Sequence, residues 1–159
     1  MLVTAADLAE ELANVDLPHG DWKAAVRSYA KAVHDVIVAN PMSATVLLEI
    51  PLSGPLALVE HLIEALVDAG FDASTAANAL EMVGDVTLAE ARREVLAQAL
   101  GAYPAASDAW ELVNQDHDRR FLQLRTLLAD RHTGPRAVDA SFGIDIIISG
   151  LETLKPGAL

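Results

Sequence analysis

Four groupings of polar residues have the composition that chemistry requires. His61 and Glu64 stand three apart, His34 precedes Asp35, Asp116-His117-Asp118 run consecutively, and Glu81 and Asp85 stand four apart. On a helix, residues three or four apart share a face, so His61 and Glu64 bring an imidazole and a carboxylate together at a spacing that metal sites use. A metal needs more convergent ligands than two, and the plainer account is an exposed polar pair on an amphipathic helix. Adjacent residues point in different directions, so His34-Asp35 and Asp116-His117-Asp118 read as solvated faces. Glu81 and Asp85 flank Met82 and Val83. Facing inward, they are buried carboxylates with raised pKa values and potential ligand contacts; facing outward, they are solvated, and the sequence does not set the rotation of the helix. There is no Gly-rich phosphate loop, no HExxH, no GxSxG and no cysteine nucleophile, so nothing in the motifs points to an enzyme. No metal or cofactor is expected.

The elements that carry these residues belong to one domain, 1–159, long enough to bury a core and too apolar, at 52%, for disorder. Eleven Lys+Arg against 23 Asp+Glu give a net charge of −12. That balance excludes a nucleic-acid surface on this chain, because such surfaces use Lys and Arg to neutralise phosphates, and an anionic membrane would repel it. The absence of cysteine removes disulfides and thiolate metal sites and fits a reducing cytoplasm. The first residues, MLVTAADLAEEL, carry Asp7, Glu10 and Glu11 where a signal peptide is apolar, and no stretch has the length of a membrane span. A cytoplasmic protein is expected.

Ala and Leu dominate, and apolar positions recur at three- and four-residue spacing, which predicts an all-α fold of about seven helices. Thr4 caps a short first helix that carries Leu8, Leu12 and Val15 and ends before Leu17-Pro18-His19-Gly20. Asp21 caps a second, with Trp22, Val26, Tyr29, Val33 and Ile37 on one face, that stops at Asn40-Pro41. Pro41 opens a third to about Ile50, and Pro51 to Pro55 breaks the chain. A fourth, with Leu58, Leu62, Ile63 and Leu66 inward, runs to Ala69 and Gly70. The fifth and longest begins at Asp72 or Ser74 and shows no stop before Gly101. The sixth spans about Ser107 to Asp130, and its polar side holds Arg119, Arg120 and Arg125. The last runs from about Arg136 to Leu154. There is no internal repeat or linker.

The last helix is apolar on nearly all sides, and a terminal helix of this kind needs a second covering surface. The simplest supplier is another copy of the chain. A homodimer is expected in which Phe142, Gly143, Ile146, Ile147 and Gly150 meet their counterparts, with the final helix and the long fifth or sixth helix forming a four-helix bundle.

Three stretches, in order, resemble the C-terminal ligand-binding and dimerisation domain of the tetracycline-repressor (TetR) family of bacterial transcriptional regulators. Gly20-Asp21-Trp22 with Arg27 is similar to the start of that domain's first core helix. Asp68-Ala69-Gly70-Phe71-Asp72, followed by a long helix reaching Val86-Thr87-Leu88, resembles the family's "AGF/L" turn. Phe142-Gly143-Ile144-Asp145-Ile146-Ile147-Ile148-Ser149-Gly150-Leu151-Glu152 is similar to its closing pattern. The resemblance spans about residues 5 to 154.

It implies a cavity among the second to fifth helices for a small-molecule effector. Tyr29, Val33, Leu47, Val59, Leu62, Ile63, Leu80, Glu81 and Gly84 would line it, with Tyr29 and Glu81 as polar handles, and each of these residues can instead simply fill the core. Tetracycline-binding members place a metal-holding His where this chain has Leu47, which disfavours a metal–tetracycline ligand. Residues 4 to 15 resemble the family's connecting helix, so the basic helix-turn-helix unit would lie upstream of Met1. Met1-Leu2-Val3 reads as the interior of a helix, and a domain of a longer regulator is favoured over a stand-alone dimeric helical module that binds a small molecule or a protein. An enzyme using His61 with Glu64 or Glu81 ranks last. Effector binding would swing the connecting helix and separate two DNA-reading units.

Overall fold

The computed structural model of the chain describes residues 5–41, 56–100, 122–123, 125–126 and 141–155, and among them every regular element is an α-helix. In order these are α1 (Ala5–Ala13), α2 (Trp22–Ala39), α3 (Leu56–Asp68), α4 (Ala73–Leu100) and α5 (Ser141–Leu154). The expected third helix and most of the sixth lie outside the described residues. Two compact units divide the chain: residues 1–92 with 139–159, and residues 93–138. The second holds the last turns of α4 and helical positions 122, 123, 125 and 126. The first holds the remaining described residues.

Each helix boundary has a local cause. The carboxylate of Asp21, on extended backbone, accepts from the amides of Lys23 and Ala24 at 3.0 Å each, so two of the free N–H groups of α2 are satisfied. Gly20 enters that cap at φ +78°, a conformation a side chain resists. At the other end the Asn40 amide bonds back to the carbonyls of Val36 and Ile37.

The joint between α3 and α4 is tighter. Gly70, at φ +99°, donates its amide to Val67 O at 2.9 Å, and Phe71 donates to Leu66 O at 3.2 Å. This is the paired closure of a Schellman ending, with both residues of its apolar contact, Leu66 and Phe71, buried. One residue later Asp72 starts α4: it accepts from the Thr75 amide at 2.8 Å and the Thr75 hydroxyl at 3.1 Å. Those bonds from Thr75 hold the Asp72 carboxyl below its ordinary 3.8.

Packing follows from the apolar stripes. Helix α2 lies against α1, α3 and α5, and α1 also meets α3. Their inward faces make one continuous cluster. Leu8 and Leu12 come from α1, Val26, Tyr29 and Val36 from α2, Leu58, Leu62 and Leu66 from α3, Ala76, Ala79 and Val83 from α4, and Ile144, Ile148 and Leu151 from α5. Trp22 and Phe71 close one end edge to face, ring centres 5.1 Å apart at 78°. The Lys23 ammonium sits 5.8 Å from the Trp22 ring. A smaller cluster joins Ile37 of α2 to Ala91 of α4, with Val33, Val38 and Leu88 against it.

Helix α5 runs antiparallel to α2. Lys23 pairs with Glu152, and Arg27 pairs with Asp145 at 2.9 Å. All four side chains are well exposed, so the pairs orient the helices more than they stabilise them. The closer constraint is Gly143: a Cβ there would stand 2.6 Å from Cγ1 of Val86. Val86 is β-branched and has few rotamers with which to retreat.

Gly143→Ala should therefore lower the melting temperature even though Ala is the better helix former by about 1 kcal/mol. Adding Val86→Ala should recover most of the loss. Thermal unfolding followed by circular dichroism checks both, and a Gly143→Ala chain as stable as the original would contradict the contact.

Candidate functional site

The interior between α2, α3 and α4 is apolar because each helix turns a spaced set of aliphatic residues toward it. Tyr29, Val59 and Leu62, three of the cavity residues expected from sequence, are buried in the same cluster, and Val33, Ile63 and Leu80 are half-buried against it. Gly84 is half-buried, and no atom stands within 4 Å of where its Cβ would be. Leu47 lies outside the described residues.

Glu81 is exposed, as is Asp85. Ala76, Ala79 and Val83 turn inward, and that rotation of α4 carries both carboxylates to the surface. The second expected polar handle is therefore not part of the interior in the single chain. Tyr29 is: burial pushes its phenol above the ordinary 10.0.

Sequence reasoning passed over a third polar group. Thr87 is 3% exposed, and its hydroxyl has no hydrogen-bond partner among the described residues. It stands on the same stripe of α4 as Leu80 and Gly84, one turn beyond Gly84. A threonine within a helix gives no composition signal; only its register with Val83 and Ala91, four residues to either side, could have marked it as inward.

The groupings that could do chemistry do not converge. His61 and Glu64 are exposed and border a surface groove of about 140 Å³, together with His19, Trp22 and Asp68. No group of three or more His, Asp or Glu able to hold a metal occurs among the described residues. His34 lies half-buried with Nδ1 3.6 Å from Asp35, whose carboxylate also takes Lys31. Asp116-His117-Asp118 lies outside the described residues.

The five residues expected at a dimer interface divide. Phe142 and Ile146 are exposed, at 66% and 57%, and Gly150 has open space around its Cβ position. Ile147 is 8% exposed and belongs to the chain's own core, while Gly143 is taken up by Val86 of the same chain. The cause is geometric. Residues 144, 147, 148 and 151 form the inward face of α5, which leaves 142, 146, 149 and 150 on the other side.

A family model described as tetracyclin repressor-like, C-terminal domain, matches residues 14–155. The chain belongs to this family. Neither a curated protein nor a solved structure shows significant similarity to it. Domains of this family are regulatory rather than enzymatic, and they generally bind small-molecule effectors and dimerise. The match takes in α2 to α5 and begins just after α1. His61, Glu64, Glu81 and Asp85 are surface groups, and the apolar interior lies between the buried faces of α2, α3 and α4. No helix among the described residues is long and apolar enough to cross a membrane.

The phenol of Tyr29 offers a direct check on that region. Its raised pKa means that the folded state holds the proton more tightly than the unfolded one. The corresponding stability is present below about pH 10 and is lost as pH rises through the folded value. Tyr29→Phe should keep at alkaline pH the stability that the parent chain loses. In the ultraviolet difference spectrum between the two chains, tyrosinate should form later than for a free tyrosine, and formation at the ordinary pH would contradict the burial.

Proposed function

We propose that the chain is the effector-binding and homodimerising part of a TetR-type transcriptional regulator, working in the bacterial cytoplasm as a repressor released from DNA by a small, largely apolar ligand. The observation that carries this reading is α5. One face completes the core, and the opposite face leaves Phe142 and Ile146 exposed beside the bare backbone of Gly150. An apolar face of that kind on a terminal helix is covered most economically by its own copy across a two-fold axis. Within the family, that is the place of the dimer.

The ligand contacts are proposed for Tyr29 and Val33 of α2, Val59, Leu62 and Ile63 of α3, Leu80 and Gly84 of α4, and Leu47. Exposed Glu81 is left to solvent. A ligand held between these helices favours one arrangement of them over another only through its difference in affinity for the two. Helix α1, packed on α2 and α3, would carry that difference to a DNA-reading unit. Couplings of this sort are on the order of 1–3 kcal/mol and act equally in both directions.

Two measurements test the reading. Light scattering at micromolar concentration should give the mass of a dimer. Ile146→Glu, which places a charge on the outward face, should give a monomer whose helical circular dichroism is unchanged. A monomeric parent chain would sink the dimer. Native mass spectrometry of the purified protein, or titration with a hydrophobic dye, should show one apolar ligand per chain, and a chain that takes up neither is a filled core.

A further inference from the structure

The buried stripe of α4 consists of small residues: Ala76, Ala79, Val83, Thr87 and Ala91 follow one another at three- and four-residue spacing, and none is more than 3% exposed. Small residues alone only permit close packing. What changes their meaning is Thr87. A threonine buried in a helix has an easy bond available to the carbonyl one turn back. This protein uses that bond elsewhere: Thr126 donates to Leu122 O at 3.0 Å, and Ser149 to Asp145 O at 2.8 Å. Thr87 makes no such bond, and its hydroxyl is left inside without a partner.

Its position is also particular. Val83, one turn before, belongs to the main core, whereas Ala91, one turn after, belongs to the smaller cluster with Ile37. Val33 of α2 touches both clusters. Thr87 therefore lies along α4 at the seam where one apolar cluster stops and the next begins. Among the described residues, the buried set is otherwise apolar but for the phenol of Tyr29 and the indole N–H of Trp22.

We propose that the Thr87 hydroxyl is the specificity-determining contact for the effector, and that the effector is a neutral, mostly apolar molecule carrying one hydroxyl or carbonyl oxygen. This rests on the reading of the interior as a ligand cavity and goes further by naming what the cavity selects. The hydroxyl can donate to a carbonyl oxygen, or donate to and accept from a hydroxyl. The described surroundings disfavour an ionised ligand. Among the described residues no lysine or arginine is buried, and the ion pairs of Lys23, Arg27 and Lys31 all lie at exposed positions, so a charge brought against this stripe would lose its hydration without a buried cation to offset the loss.

The test uses one carbon skeleton in four forms, naphthalene, 2-naphthol, 2-acetylnaphthalene and 2-naphthoate, titrated by calorimetry into the full chain and its Thr87→Val and Thr87→Ser variants. The naphthol and the ketone should bind the parent chain and Thr87→Ser, and should weaken about tenfold in Thr87→Val, the loss of one hydrogen bond. Naphthalene should bind all three within about twofold. Thr87→Val should also melt above the parent chain when no ligand is present, since it removes a buried group without a partner. Equal weakening of naphthalene and naphthol in Thr87→Val, or no weakening of either, would overturn Thr87 as the selective contact and leave the cavity standing. Tightest binding of the naphthoate would overturn the neutral class. A lower melting point for Thr87→Val would show that the hydroxyl serves the fold, and failure of all four compounds to bind would overturn the proposal together with the cavity beneath it.

Discussion

Helix α2 has to bury more of its surface than a helix at the edge of a bundle does, and the arrangement of the other helices follows from that demand. It meets α1, α3 and α5, and from Trp22 to Ile37 it keeps seven residues out of water. Three partners can share one helix only if they come close. The chain has the composition for this: with 4% aromatic residues, its interior is built from Leu, Ile, Val and Ala, which pack at short interhelical distances. The aromatic pair of Trp22 with Phe71 sits where α2 begins and α4 is about to begin, so bulk is placed at an end and small side chains along the length.

The same closeness explains the different fates of the two glycines of α5. Gly143 lies where α4 passes, and Val86 fills the space its missing side chain leaves; Gly150, two turns on, has no described residue against its Cβ position. A glycine that admits a neighbour and one beside open space look alike in a sequence. The polar edge of the contact between α2 and α5 is set by Lys23 with Glu152 and Arg27 with Asp145, which fix the antiparallel direction because a parallel α5 would pair the same residues at opposite ends.

Much of the fold was legible because its signals are local. Asp21, Gly70 and Asp72 act within four residues of themselves, and the ends of α2, α3 and α4 fall where those residues place them. The family resemblance rested on the same segments, since the turn from Asp68 to Asp72 must satisfy both helices at once. The candidate site was less legible. Tyr29, Val59 and Leu62 are inward because their helices are amphipathic, and spacing shows that. Helix α4 is different: alanines and polar residues alternate on it with little contrast between faces, so the rotation that exposes Glu81 and buries Thr87 is set by the helices it meets. The division of α5 between core and surface has the same origin, for Ile146 and Ile147 are chemically identical and only the position of α2 and α4 separates them.

The joint between α3 and α4 leaves little backbone hydrogen-bonding capacity unused. Gly70 and Phe71 close the last turn of α3, and Asp72 takes up the Thr75 amide in the first turn of α4. A hinge needs residues that can change backbone angles without breaking such bonds. Here Gly70, Phe71 and Asp72 each take part in such a bond, so the joint resists bending. A displacement of Leu62 or Leu66 would carry across such a joint to the stretch of α4 that holds Ala76 and Ala79.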